Sequence, residues 1–213
     1  MNIKINRDAL LKPLANVASI VERKHALPIL SNILIQGKDG QVQLTATDLE
    51  MQVSLSFKAD LKEEIATTIS ARKFFDITRS LPDDCVIDIA IKDSRVSVKA
   101  NKSRFAIQTL PAKDYPVMTK ASSEAVVITI SQIQLKRLLK QVEFAMAQQD
   151  IRYYLNGLLF EVNGNQLNIV GTDGHRLSFT SIHLDQNYNK TEVILPRKTV
   201  IELIKLLNES EEL

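Results

Sequence analysis

Residues 2–5 alternate polar and apolar side chains, the two-residue period of a β-strand with one buried face. Asn6 follows, with a side-chain oxygen that can accept from the unpaired N–H groups at a helix start. Leu10, Leu14, Val17 and Val21 then recur at helical spacing, and Leu11 and Ala18 widen the stripe. Pro13 sits inside that stripe, where its ring removes a hydrogen bond at a cost of about 3 kcal/mol unless a bend absorbs it. Leu14 and Val17 stay in phase beyond it, so the pattern predicts one bent helix over residues 7–24. Strand-like runs follow at Ile29–Ile35, Val42–Thr47 and Gln52–Phe57, with Lys38-Asp39-Gly40 as the hairpin turn between the first two. A strand over Glu64–Ser70 leads into a short helix from Ala71 to about Leu81, which Pro82 closes. Strand runs around Ile89, Val96 and Phe105 finish this half.

The order is βαβββ twice over. Consecutive strands with short turns make antiparallel sheets. Two helices cannot cover both faces of so many strands, so they lie on one side. The fold class read from the pattern is α+β, with helices on one face of antiparallel sheets.

The pattern returns 125 residues later. Leu30-Ser31-Asn32-Ile33-Leu34 matches Leu155-Asn156-Gly157-Leu158-Leu159, Thr47-Asp48 matches Thr172-Asp173, and Arg72-Lys73 matches Arg197-Lys198. Ile5, Leu10, Leu14 and Val17 match Ile130, Leu135, Leu139 and Val142 without a gap. Ser131 takes the capping place of Asn6, and Asn163-Gly164-Asn165 takes the hairpin turn. The reading is two copies of one domain, 1–121 and 122–213, with the boundary near Lys120-Ala121-Ser122-Ser123. On this offset residue 213 corresponds to residue 88, so copy two has no counterpart of the last strands of copy one. The expectation is a chain cut short inside its second domain, with an open strand edge that leads either to self-association or to a frayed stretch after about Ile194.

Composition adds little: 45% hydrophobic and 24% charged residues are ordinary for a soluble globular chain. A single cysteine, Cys85, excludes an internal disulfide and a cysteine-based zinc site, and fits a reducing compartment. No apolar run approaches the roughly 20 residues of a membrane span, and the N-terminus has no signal-peptide core, so the expectation is a cytoplasmic chain with no membrane partner. Charge is more telling by place than by total. Each of the four helical stretches nets +2, so together they hold +8 in a chain of net +2. The remainder is therefore −6, which predicts a basic helical face and an acidic sheet face. Basic helix faces suit a polyanion with a repeating phosphate backbone, and nothing here resembles base-reading chemistry.

Nucleotide-loop, zinc-protease and serine-hydrolase motifs are absent, and no cofactor is implied. The most enzyme-like string is Gly171-Thr172-Asp173-Gly174-His175-Arg176. Yet its Thr-Asp recurs as Thr47-Asp48 with Leu49-Glu50 in place of Gly174-His175. A catalytic pair has no reason to be half-kept in a structural repeat. The reading is a turn whose Asp bonds nearby backbone.

The strings Leu27-Pro28-Ile29-Leu30, Thr47-Asp48-Leu49-Glu50, Ala71-Arg72-Lys73-Phe74-Phe75, Arg152-Tyr153-Tyr154-Leu155-Asn156-Gly157, Thr172-Asp173-Gly174-His175-Arg176-Leu177 and Pro196-Arg197-Lys198 strongly resemble the bacterial DNA sliding clamp, the beta subunit of DNA polymerase III. The resemblance covers the whole chain. It implies the DNA-clamp fold and a longer, three-domain protein that closes head-to-tail as a homodimer ring, which this chain is not expected to do alone. It implies duplex DNA as a partner, met by Lys24, Gln149, Tyr153 and Tyr154. Behind them stand the helix cations Arg72, Arg79, Lys136, Arg137, Lys140, Arg197 and Lys198. It implies an apolar pocket for a short peptide of the polymerase and the clamp loader, lined by Arg152, Leu155, Thr172, Gly174, His175, Arg176 and Leu177. With part of its wall outside this chain, Leu155 and Leu177 are expected to be partly exposed. It implies a ring interface at Lys73, Arg104, Phe105 and Ile107, although core packing is the plainer reading of the last two. Two other readings stay open: a peptide-recruiting module that does not handle DNA, and a nucleic-acid-modifying enzyme, for which no titratable cluster is found.

Overall fold

The computed structural model describes residues 2–21, 27–61, 63–92, 94–118 and 125–208. The chain divides into two compact units, Met1–Thr119 and Lys120–Leu213. Lys24 and the boundary stretch around Ala121 lie outside the described residues.

Unit 1 begins with β1 (Asn2–Asn6) and α1 (Arg7–Ile20). Asn6 caps the helix by accepting from Asp8 N at 2.8 Å, and Pro13 lies inside a helix that continues past it. The helix is shorter than its stripe predicts, because Val21 already has extended backbone. A 3₁₀ turn over Pro28–Ser31 replaces the predicted start of the next strand, with Pro28 at its first position where no N–H is needed. Then come β2 (Asn32–Lys38), β3 (Gln41–Thr47), β4 (Gln52–Lys58), the two-residue β5 (Asp60–Leu61), β6 (Ile65–Ser70) and α2 (Ala71–Ser80). β7 (Val86–Lys92), β8 (Arg95–Ala100) and β9 (Ser103–Gln108) complete the second half.

The two halves exchange their first strands. β6 pairs antiparallel with β2, Ile69 opposite Ile33, giving a sheet of order β4-β3-β2-β6. β1 pairs with β7, Ile5 opposite Ile87, giving β5-β1-β7-β8-β9. Both sheets and both helices share one core, which includes Leu14, Val17, Ile33, Ile69, Phe74, Ile87 and Val98. Tyr115 closes it from the chain's return: its phenol donates to the Asn32 carbonyl and accepts from Thr47 N. Burial pushes its pKa up to about 12.

Unit 2 contains α3 (Gln132–Val142), capped by the Ser131 hydroxyl accepting from Gln134 N, then β10 (Gly157–Thr172), β11 (Leu177–Pro196) and α4 (Arg197–Leu206). The two long strands pair in two stretches with register shifts around Gly164. Gln166 faces His183, as Gln41 faces Lys58 one repeat earlier. Gly157 faces Pro196, whereas Asn32 faces Ser70, so the second copy holds one extra residue between these stretches. The offset is therefore 126 from there on, α4 is the counterpart of α2, and Val200 fills the buried place of Phe74. The gapless match of Arg72-Lys73 to Arg197-Lys198 is corrected by one position.

Two further expectations change. The stretch around Ile130, counterpart of β1, is not a strand among the described residues. β1 exists because β7 pairs with it, and the counterpart of β7 would begin only near residue 212, outside the described residues. Where the sequence pattern predicts either self-association or fraying after Ile194, the described residues continue as strand and helix. β11 runs to Pro196, and α4 packs Val200, Leu203 and Ile204 into the second core with Leu139 and Leu158.

Replacing Phe74 by Ala should destabilise unit 1 by about 3–5 kcal/mol in denaturant unfolding, since the buried ring leaves a cavity. Tyr115 sets an alkaline limit. Its proton leaves the unfolded chain near pH 10 but the folded one only near 12, so stability should fall as pH rises from about 10 to 12. A Tyr115→Phe variant should flatten that fall in unfolding measured across the same range.

Candidate functional site

The Thr-Asp turns of the two units are built alike. In unit 1 the Thr47 hydroxyl donates to the Met51 carbonyl at 2.8 Å and accepts from Leu49 N, while Asp48 Oδ1 accepts from Glu50 N and Met51 N. In unit 2 the Thr172 hydroxyl donates to the Arg176 carbonyl at 2.8 Å and accepts from Gly174 N, while Asp173 Oδ1 accepts from His175 N and Arg176 N. Asp173 is therefore occupied by backbone, and its pKa is lowered first by the N–H groups of His175 and Arg176. The turn reading stands over the acid–base one. Among the described residues no group of three or more His, Cys, Asp and Glu side chains could hold a metal ion.

The third turn position is left-handed in both copies, with φ of +77° at Leu49 and +88° at Gly174. Glycine has a second reason to stand at 174. A Cβ there would lie 3.2 Å from the Arg152 guanidinium, which rests against this backbone. The contact joins the turn to the segment Gln149–Asn156. That segment is closed by Asp150, whose carboxylate accepts from Arg152 N, Nε and Nη2 at 2.8–3.0 Å. The Asn156 side chain donates to the Asp150 carbonyl and accepts from Asp150 N. Arg152 draws the Asp150 pKa down to about 2.

Of the predicted pocket residues, Arg152, Thr172, Gly174, His175, Arg176 and Leu177 thus belong to one turn and the side chain against it. Arg176 is held by Asp173, donates to the Phe144 carbonyl and lies 5.4 Å from the Phe144 ring centroid. Leu177 is 66% exposed, as expected, but Leu155 is only 8% exposed. Its expected exposure is corrected: it ends a 3₁₀ turn, and its carbonyl accepts from Ala147 N. Sequence reasoning missed Asp150, Asn156, Phe144 and the exposed Phe179. The Asp-x-Arg spacing at 150–152 was a legible signal, because an Asp side chain readily accepts from the N–H two residues on.

The predicted cations divide by what they touch. Arg72 and Arg79 are exposed beside a shared Asp76, and with Lys73 they line a groove of about 620 Å³ between α1 and α2. Arg137 and Lys140 are exposed on α3 with no ion pair among the described residues. Lys136 is different: its ammonium donates to the Leu207 carbonyl at the end of α4. Arg7, counted with the basic helices, donates to the Thr78 and Arg79 carbonyls and pairs with Asp8 and Asp83. Gln149, Arg197 and Lys198 line one depression of about 430 Å³. Tyr153 and Tyr154 are exposed on the Asp150 segment, their rings edge to face at 5.9 Å.

The predicted ring-interface set lies on β9 and α2. Lys73 and Ile107 line one depression with Arg95, and Arg104 is exposed. Ile107 is a core residue at 6% exposure and Phe105 packs on the same core, so the plainer reading of these two holds inside unit 1. The expectation of an acidic sheet face fails on β7–β9. Its outward positions hold Lys92, Arg95, Lys99 and Arg104 against Asp88.

Leu49→Gly should stabilise unit 1 by up to about 1 kcal/mol by relieving left-handed strain at an exposed site, read as a shifted unfolding midpoint. Gly174→Ala should destabilise unit 2 and loosen Arg152. The Asp150–Arg152 pairing should persist to low pH. A lowered carboxyl pKa contributes above its unfolded value of about 3.8 and is lost as pH falls through about 2, which a carboxyl-carbon NMR titration of Asp150 reads directly.

Comparison with known proteins adds an independent observation. Residues 1–119 match the family model of the DNA polymerase III beta subunit, N-terminal domain, and residues 129–213 that of its central domain. The chain is 46% identical over 213 residues to the beta sliding clamp of Pseudomonas aeruginosa and 45% identical over 209 to that of Escherichia coli, covering 99% and 98% of this chain. It spans 58% and 57% of those relatives' own lengths. The crystal structure of the P. aeruginosa DNA polymerase III subunit beta superposes with a TM-score of 0.94 over 98% of this chain and 57% of that one, at 45% identity. The same organism's sliding clamp bound to griselimycin also gives 0.94, at 45% identity over 99% of this chain and 57% of that one. The repeated domain, the shared turn chemistry and these matches lead to one conclusion: this chain belongs to the DNA polymerase III beta subunit family, the bacterial sliding clamps.

Proposed function

We propose that this chain supplies the first two domains of a processivity clamp. Such a clamp is a non-catalytic cytoplasmic ring of two copies that encircles duplex DNA and tethers a polymerase and a clamp loader. The observation that carries the DNA part is the exposure of Arg137 and Lys140 on α3 of unit 2 with no ion pair among the described residues; within unit 1 the groove lined by Arg72, Lys73 and Arg79 is a second cationic surface. Such cations neutralise phosphates without reading bases. Gln149, Tyr153 and Tyr154 add uncharged contacts from the Asp150 segment. The turn Thr172–Leu177, with Arg152 laid against it and Leu177 exposed, supports the peptide-tethering part. Lys73 and Arg104 support a subunit contact through β9, the edge strand of its sheet among the described residues.

Lys136 and Arg7 take a structural role in this reading, because helix-end carbonyls already hold them. The second reading, a peptide-recruiting module without DNA contact, rests on the same turn and makes the free helix cations incidental.

Duplex binding should be weak, indifferent to sequence and steeply salt-dependent, with a log K against log[salt] slope near −0.9 per phosphate neutralised. Arg137→Ala with Lys140→Ala should reduce that slope by about 1–2 and weaken binding several-fold in fluorescence anisotropy, with no loss of stability. Lys136→Ala should instead lower the melting temperature. Binding that ignores salt, or that prefers one sequence over scrambled controls, overturns the proposal. Unchanged binding in the α3 double variant overturns the role given to Arg137 and Lys140, and no duplex binding by the parent chain favours the peptide-only module.

A further inference from the structure

Gln149 and Ile151–Tyr154 are exposed, yet this segment is not arranged as a loose loop. Ile151 and Tyr153 are 97% and 82% exposed, and Gln149 stands in the left-handed region at φ +57°. What holds them out is a small polar clip. Both Asp150 oxygens are engaged by Arg152, and both backbone polar groups of Asp150 are engaged by the Asn156 side chain. The two Nη atoms of Arg152 rest against Gly174, where a Cβ would lie 3.2–3.3 Å from them and φ is +88°, a conformation that favours glycine. The clip therefore anchors the segment to the Thr172–Arg176 turn, which is itself fixed by Asp173.

Asp150 is a puzzle under the charge argument alone. A carboxylate within a surface read as facing phosphates should repel them, and removing it should tighten binding. Its geometry points the other way. We propose that Asp150 is a positioning residue for duplex binding: through Arg152 and Asn156 it presents Gln149, Tyr153 and Tyr154, so that binding loses more from its removal than it gains from the lost negative charge. The inference rests on the DNA reading above.

Two variants separate positioning from charge. Asp150→Asn keeps the shape and removes a negative charge, so charge alone predicts tighter binding. Arg152→Lys keeps the charge and loses the planar fork that meets both carboxylate oxygens, so charge alone predicts no change. The clip predicts about three- to tenfold weaker duplex binding for both. The loss should sit in the part of the affinity that remains on extrapolation to high salt, because the presented side chains are uncharged, while the salt slope stays that of the parent chain. Amide hydrogen exchange should quicken at Arg152, Leu155 and Asn156 in both variants, with the melting temperature little changed. Equal or tighter duplex binding by Asp150→Asn overturns the proposal, as does unaltered exchange across 150–156. If the parent chain itself shows no duplex binding, the DNA reading fails along with this one. Quickened exchange would then still separate a closed clip from an ordinary loop.

Discussion

Two antiparallel ladders that cross between the halves of unit 1 support everything else in it. β6 leaves its own half to complete the β2–β4 sheet, and β1 leaves its own to complete the β7–β9 sheet. Each exchanged strand ends at its helix, so the crossing also brings α1 and α2 to one shared core. Neither half could bury its apolar face alone, because a three-stranded meander and one helix leave a first strand without ladder partners. The exchange satisfies those backbone groups and the hydrophobic faces at once.

The same constraint explains unit 2. Its paired strands keep the ladders equivalent to β2–β6 and β3–β4, and α4 follows as α2 does. The counterpart of β1 is not a strand among the described residues, since a strand is defined by its partner. The one extra residue of the second copy sits between paired stretches, where it shifts register without disturbing either core.

Charge shows how structure and function divide one set of side chains. The four helical stretches read from the sequence are equally basic by count, but their cations are not equivalent. Arg7 and Lys136 complete the ends of neighbouring helices, where the last carbonyls lack partners. Arg72 and Arg79 share Asp76, whereas Arg137 and Lys140 are exposed with no ion pair among the described residues. The outward cations of β7–β9 show that a net −6 outside the helices does not make every sheet face acidic.

The sequence by itself determined the α+β class, the duplicated domain, the capping residues, the hairpin turns and the structural role of the Thr-Asp turn. These rest on local period and on side chains bonding backbone within a few residues, both written in consecutive letters. Its family motifs also marked Arg152 and Gly174–Leu177. Only the tertiary structure decided that β1 and β6 exchange sheets, that the repeat offset steps to 126 before α4, and that Lys136 and Arg7 are structural cations. It alone buried Leu155 and Ile107 and set Arg152 on Gly174. Each of these depends on which groups meet across many residues of chain, where strand pairing and carbonyl partners are chosen by the packing of the whole unit rather than by neighbours in sequence.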